Sequence, residues 1–426
     1  MSPILVLALS FVILLLIGVP ISFCLAVSAM LTTWSMGLPP VMVAQRVAAG
    51  VQSFPLIAIP LFVLAGSIMA KGGVAKRIVD FAYIIVGPFR GGLAMVNCVE
   101  SMFFGGVSGS AIADISSTGP IMIPMMEKKG YDRNFATALT VTSAVQGIII
   151  PPSHNMVIFA MSAGGVSVAR LFLAGYFPGI MIGIGLMITS YIIALKRNYP
   201  NEKRPPLKES LKIAFDGLLS IMAAFIIVGG IAFGIFTATE ASAIAVLYAA
   251  FLGIFIYKEI KLKDLWPLAI ESVKTIACVL FLIGSASAFG WVITYLKIPT
   301  IVTNFFLGLT SSPFIILLLI KLLLLILGMI MDVAPLIVIV TPVILPVVQA
   351  LGMSSETFGI VLLINLGIGL TTPPVGAGLF AGCAIGKITM EEAAKATLVF
   401  WPSMVIALLL VTFIPWLTMF LPNLIK

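Results

Sequence analysis

Two apolar stretches of this chain are interrupted by glycines, prolines and small polar residues, and the interruptions recur at one fixed spacing. The first stretch opens as GGVSGSAIADISSTGP from Gly105 to Pro120 and closes as VQGIIIPPSHNMVIFA from Val145 to Ala160. The second, 222 positions later, reads LGMIMDVAPL from Leu327 and LGIGLTTPPVGAGLF from Leu366. Eight residues coincide at that offset without a gap, among them Gly106 with Gly328, Gly147 with Gly369, and Pro151 and Pro152 with Pro373 and Pro374. Glycine and proline are common in membrane helices, so the spacing carries the inference rather than the composition. Two halves built to one plan, each with a broken hydrophobic segment, point to a secondary transporter with its site between them.

With 61% hydrophobic and 9% charged residues and a mean hydropathy of +1.21, the chain has too little charge to clothe a soluble core of 426 residues. It is expected to be an all-α polytopic membrane protein in a lipid bilayer. Its apolar runs are longer than the alternating strands of a barrel. The net charge of +8 does not call for nucleic acid, because six of the 24 basic residues crowd between Lys196 and Lys212, as expected of a cytoplasmic loop. Cys24, Cys98, Cys278 and Cys383 lie singly in apolar runs and there is one histidine, which argues against a transition-metal site. The N-terminus has neither a basic flank nor an A-x-A site and reads as a retained helix, with a first span from residue 3 to about 28.

A first repeat is expected over residues 1–196, with a re-entrant hairpin at about 97–126 and a broken spanning helix at about 135–163. A basic cytoplasmic linker follows at 197–212. The second repeat is expected over 213–426, with its hairpin at about 327–348 and its broken helix at about 357–385. If each hairpin returns to its own side, each half crosses an odd number of times. That parity makes the repeats inverted, as alternating access requires.

Glu100, Asp114, Glu240 and Asp332 stand in apolar surroundings, where a carboxylate needs a partner, a cavity or a cation. Hydroxyls in the TATEAS run can satisfy Glu240 locally, whereas Asp114 and Asp332 fall within the repeated hairpins. Proline supplies no N–H, so each Pro-Pro break frees carbonyls of the preceding turn. Those carbonyls, with nearby hydroxyls and carboxylates, make a hard oxygen shell suited to Na⁺. The sodium candidates are Ser108, Ser110, Asp114, Pro151 and Asn155 in the first half and Asp332, Gly369, Thr371 and Thr372 in the second. Two such clusters imply two or more Na⁺ ions. Helix N-termini at the hairpin tips would offer partial positive charge to an anionic substrate, with Ser153, His154, Gly376 and Arg90 as candidate contacts. His154 is alternatively a proton carrier or a hydrogen-bonding group at the break, and Arg90 and Arg170 are equally explained as snorkelling charges. There is no P-loop for ATP and no G-x-S-x-G elbow, so the chain is not expected to be an enzyme. H⁺ coupling and a channel or assembly subunit remain as alternatives, although a channel should carry a continuous polar stripe.

The motifs GGVSGSAIAD (Gly105–Asp114), IMIPMM (Ile121–Met126), IIPPS (Ile149–Ser153), LGMIMD (Leu327–Asp332) and TTPPVG (Thr371–Gly376) together resemble the large membrane subunit of the tripartite ATP-independent periplasmic (TRAP) transporters, across nearly the whole length. The resemblance implies a Na⁺-driven symporter of small organic anions in the bacterial inner membrane. It further implies an elevator motion of hairpins and broken helices against a scaffold, a small membrane subunit of four helices, and a periplasmic substrate-binding protein. The small subunit is expected to be a separate chain. The first motif leans toward the sialic-acid members over the dicarboxylate ones.

Overall fold

A computed structural model describes residues 2–202 and 205–424. Among the described residues the chain is helical, and its one strand-like feature is an isolated bridge between Arg90 and Asn201. Among the described residues seven helices are long and apolar enough to cross a membrane, or nine if each of two bent helix pairs counts as one span.

The first expected span is instead two helices, Pro3–Leu16 and Ile21–Ser35, folded against each other. Gly18 takes a φ of +86° between them and Pro20 follows, so the helical ladder cannot run through. The interruption was hidden by the apolar character of both sides.

Each half contains a helical hairpin followed by a broken helix. The first hairpin has arms Gly92–Ser108 and Ala111–Lys128, joined at Gly109, whose φ of +66° turns the chain. Ser110 caps the outgoing arm by accepting from the Ala113 N–H at 3.4 Å. The second has arms Pro313–Ile330 and Val333–Ala350, so it begins well before residue 327, because the leucine-rich run from Pro313 forms its incoming arm rather than a separate approach. Here Asp332 is the cap, with Oδ1 accepting from the Val333 N–H at 2.8 Å. The outgoing arms coincide end to end at the 222-residue offset and carry prolines at matching positions, Pro120 and Pro124 against Pro342 and Pro346.

The first broken helix runs Arg133–Ser143, Gln146–Ile149 and then His154–Ser162, with a 49° bend across Pro151 and Pro152. The second runs Ser355–Leu370 and then Ala377–Gly386 across Pro373 and Pro374. Both Pro-Pro bonds are cis. The two broken helices pack on each other through Phe159 and Phe358, ring centroids 6.1 Å apart, both buried. The first break, Pro151 to Ser153, is buried, whereas Pro374 and Val375 of the second are exposed.

The segment after Lys196 is a docked strap rather than a free loop. Tyr199 is buried against Tyr131, with ring centroids 4.2 Å apart, and Glu202 accepts from Lys129 Nζ at 2.7 Å and from the Tyr83 hydroxyl at 3.1 Å. Backbone bonds from Gly91 to Pro200 and from Glu202 to Gly87 fix it to the base of the first hairpin. Of its six basic residues, Lys203 and Arg204 lie outside the described residues.

Candidate functional site

Each hairpin tip abuts the break of its own half. Gly105 lies against Gly147 and Gly109 against Pro152 and Ser153, contacts that only the missing Cβ allows. In the second half Gly328 lies against Gly369, and the Met329 carbonyl accepts the N–H groups of Val375 at 3.1 Å and Gly376 at 3.3 Å. Small residues at these positions follow from that close approach of backbones.

The breaks satisfy their freed carbonyls differently. Pro152 has no N–H to give the Ile148 carbonyl, and the Ser153 hydroxyl replaces it at 3.0 Å, with a second, longer bond to Gly109 O at 3.4 Å. At the equivalent place in the second half Pro374 cannot serve the Leu370 carbonyl, and Val375, which stands where Ser153 does, has no hydroxyl. Among the described residues no N–H or O–H donates to Leu370 O. Two residues earlier, at Ile368 O, the hydroxyls of Thr371 and Thr372 both donate, at 2.8 and 2.6 Å, which leaves their oxygen lone pairs free to accept. Among the described residues nothing donates to Leu370 O or to the two hydroxyl oxygens, which lie within three residues of one another and are of the hard oxygen type a monovalent cation takes.

Both tips open onto one cavity of about 810 Å³. Ser108 and Ser110 reach it from the first hairpin, Asp332 from the second, His154 and Asn155 from the first break, and Ile148 and Leu370 from the last turns before the two breaks. Asp332 is exposed to this space, with one carboxylate oxygen engaged in capping. Helices beginning at Ala111, His154 and Val333 all start at its wall, so their N-terminal dipoles converge there.

Other sequence-selected residues lie elsewhere. Ser153, Pro151, Gly369, Thr371, Thr372 and Gly376 are buried in the breaks behind the cavity wall. Asp114 is fully buried inside the first hairpin, where Thr118 donates to its Oδ1 at 3.2 Å. Glu100 is buried beside it and accepts from Ser101 at 3.3 Å, and among the described residues Glu100 Oε2 and Asp114 Oδ2 have no partner. Arg90 is not brought to the cavity; it donates to Asn198 at 3.1 Å on the strap. Glu240 closes a capping box with Thr237, accepting its N–H at 2.8 Å, and Arg170 pairs with Glu356 at 2.9 Å.

Sequence reasoning missed the part of the cavity wall built by two other helices. Ser67 and Lys71 of the helix Ala58–Lys71, and Glu271 and Thr275 of the helix Leu265–Tyr295, complete the cavity. Lys71 and Glu271 end or precede apolar runs and look like ordinary span-end charges, so their one available signal was position. A buried lysine, Lys321, was also missed; its Nζ sits 4.2 Å from the centre of the Phe413 ring.

Residues 8–417 match the family described as the tripartite ATP-independent periplasmic transporter, DctM component. The chain is 41% identical to the protein YgiK of Salmonella typhimurium, covering 99% of this chain and 98% of that one. It is 37% identical to the 2,3-diketo-L-gulonate TRAP transporter large permease protein YiaN of Escherichia coli (96% and 95% covered) and 36% identical to the sialic acid TRAP transporter large permease protein SiaM of Vibrio cholerae (96% of each). The fold is shared with the crystal structure of the Alcanivorax borkumensis YdaH transporter, with a TM-score of 0.64 and 13% identity over 88% of this chain and 87% of that one. With its full-length match and its apolar helices, the chain belongs to the large permease subunits of the TRAP transporters, multi-pass proteins of the bacterial inner membrane.

Proposed function

We propose that this permease subunit works by Na⁺-coupled symport of a small organic anion, handed over by a periplasmic binding protein and taken up with the help of a separate four-helix membrane subunit. The observation that carries the reading is the single cavity onto which both hairpin tips open, backed in the second half by the undonated oxygens of Leu370, Thr371 and Thr372. In this reading the neutral oxygens of the second break hold Na⁺, Asp332 on the nearby cavity wall contributes negative charge, and the helix N-termini at the wall are left for an anion. The matched hairpins and breaks are inverted-topology repeats in this reading. They move together as an elevator against the wall that carries Ser67 and Thr275. YiaN and SiaM are named for different acidic solutes at nearly equal identity to this chain, which supports a class of substrate rather than one compound.

Proton coupling is a second reading, favoured by the unpartnered oxygens of Glu100 and Asp114 within the first hairpin. Reconstitution of the three components in proteoliposomes separates the two. Uptake of a radiolabelled organic acid should follow an imposed Na⁺ gradient and require the binding protein. Uptake driven equally by a pH gradient without Na⁺ would overturn the sodium reading, and full uptake by the lone chain would overturn the dependence on partners.

A further inference from the structure

Lys71 is the only lysine or arginine among the described residues lining the cavity, and it is already engaged: its Nζ lies 2.6 Å from Glu271 Oε2. The pair joins two helices of the cavity wall, with side chains 58% and 66% exposed. A pair so open contributes little to stability, and each helix already packs extensively on other neighbours. Lys71 also closes the helix Ala58–Lys71, whose C-terminal dipole favours a cation there whether or not Glu271 is present. An organic anion in this cavity meets two carboxylates, Glu271 and Asp332, and one ammonium.

We propose that Lys71 is the residue that contacts the carboxylate of the transported anion, and that Glu271 acts as a resident substitute for that carboxylate, holding Lys71 until the substrate displaces it. The proposal rests on reading the cavity as the substrate site. It assigns the anion contact to the helices that pack beside the hairpin tips, Gly66 of the Lys71 helix lying against the Ser108 backbone. Exchange of one carboxylate for another at Lys71 leaves the charge of the pair unchanged, and Glu271 then turns to the open cavity where water reaches it. An empty cavity is thus never left with a free ammonium, and the competition sets the affinity.

The test is the direction in which the two partners move the half-saturating substrate concentration. If the pair were only a structural tie, Lys71→Met and Glu271→Gln would both break it and act in the same sense. As anion contact and competitor they act in opposite senses. In proteoliposomes holding this chain, its small subunit and its binding protein, uptake of radiolabelled sialic acid, 2,3-diketo-L-gulonate and a C4-dicarboxylate is measured across concentration. For whichever is transported, Lys71→Met should raise the half-saturating concentration about tenfold or more, as loss of a charged hydrogen bond does. Glu271→Gln should lower it, Lys71→Arg should stay near wild type, and the double variant should follow Lys71→Met. Shifts of the same sign for Lys71→Met and Glu271→Gln, with detergent melting unchanged, would overturn the proposal while leaving Na⁺-driven uptake by the wild type intact. Absence of saturable uptake of all three acids by the wild type would overturn the organic-anion reading and this proposal with it.

Discussion

Gly369 and Gly328 meet backbone to backbone: a Cβ built on Gly369 would stand 2.6 Å from the carbonyl carbon of Gly328 and 2.7 Å from its Cα. In the first half Gly147, the counterpart of Gly369, meets Gly105, one position before the counterpart of Gly328; a Cβ on Gly105 would stand 2.5 Å from Gly147 Cα. Neither neighbour is a flexible side-chain end, so neither can swing aside. These contacts hold each hairpin tip against its break and thereby define the cavity.

Gly369→Ala is expected to push the second hairpin off its break. Overpacking of this kind costs about 1–3 kcal/mol. The variant should melt at lower temperature in detergent and lose most uptake. Gly290→Ala provides the control, because that glycine lies inside the helix Leu265–Tyr295 with no atom within 4 Å of its Cβ position. Equal behaviour of the two variants would remove the backbone contact as the cause.

Asp332→Asn should raise the Na⁺ concentration needed for half-maximal uptake, with a smaller effect on the saturating rate. The substitution is clean because Asn caps a helix about as well as Asp, so the bond from the Val333 N–H to this side chain can persist while the charge is removed. A carboxylate inside a membrane protein is costly without a counter-charge, and among the described residues Asp332 has no ion-pair partner. An unchanged Na⁺ series in D332N would return Asp332 to a purely capping role.

What was legible in the sequence depended on how local its cause is. Proline cannot donate an N–H and glycine leaves room for a facing backbone, so Pro151–Pro152, Pro373–Pro374, Gly147 and Gly369 announce breaks and close contacts without knowledge of the fold. Lys71 and Glu271 are 200 residues apart and nothing in either neighbourhood demands the other; only the packed structure brings them to one wall. Arg90 illustrates the reverse case. Near the apparent end of a span, it reads equally as a snorkelling charge or a substrate contact, but the strap docks on the hairpin base and Arg90 donates to Asn198 there. The split of the first expected span at Gly18 and Pro20 was obscured because both flanks are equally apolar, and hydropathy does not record direction.

The strap is expected on the cytoplasmic side. A cysteine at Asn201 in a cysteine-free background should be protected from an impermeant thiol reagent added to intact cells and react after permeabilisation. Asn201 is exposed and is a better reporter than Asn198, whose φ of 53° suits asparagine but strains cysteine. Rapid labelling of intact cells would reverse the orientation and with it the side assigned to the base of the first hairpin, to which the strap is bonded.

Ser153 tests whether the two breaks differ for a reason. Its buried hydroxyl serves the Ile148 carbonyl, which Pro152 cannot, whereas the matching Leu370 carbonyl is left undonated beside Val375. Ser153→Ala removes that donor and leaves a buried acceptor unsatisfied, a loss of about 1–3 kcal/mol. The detergent melting temperature should fall by several degrees with or without Na⁺, since the first break relies on its own hydroxyl. Thr371→Val and Thr372→Val remove a donor to Ile368 O as well, but each also removes an oxygen from the undonated set. Their deficit should therefore grow as Na⁺ is added, because wild type gains ion stabilisation that they cannot. Melting curves of the four proteins across a Na⁺ series distinguish these cases. If Ser153→Ala loses the Na⁺ response while the threonine variants keep it, the ion belongs at the first break and the asymmetry between Ser153 and Val375 has the opposite meaning.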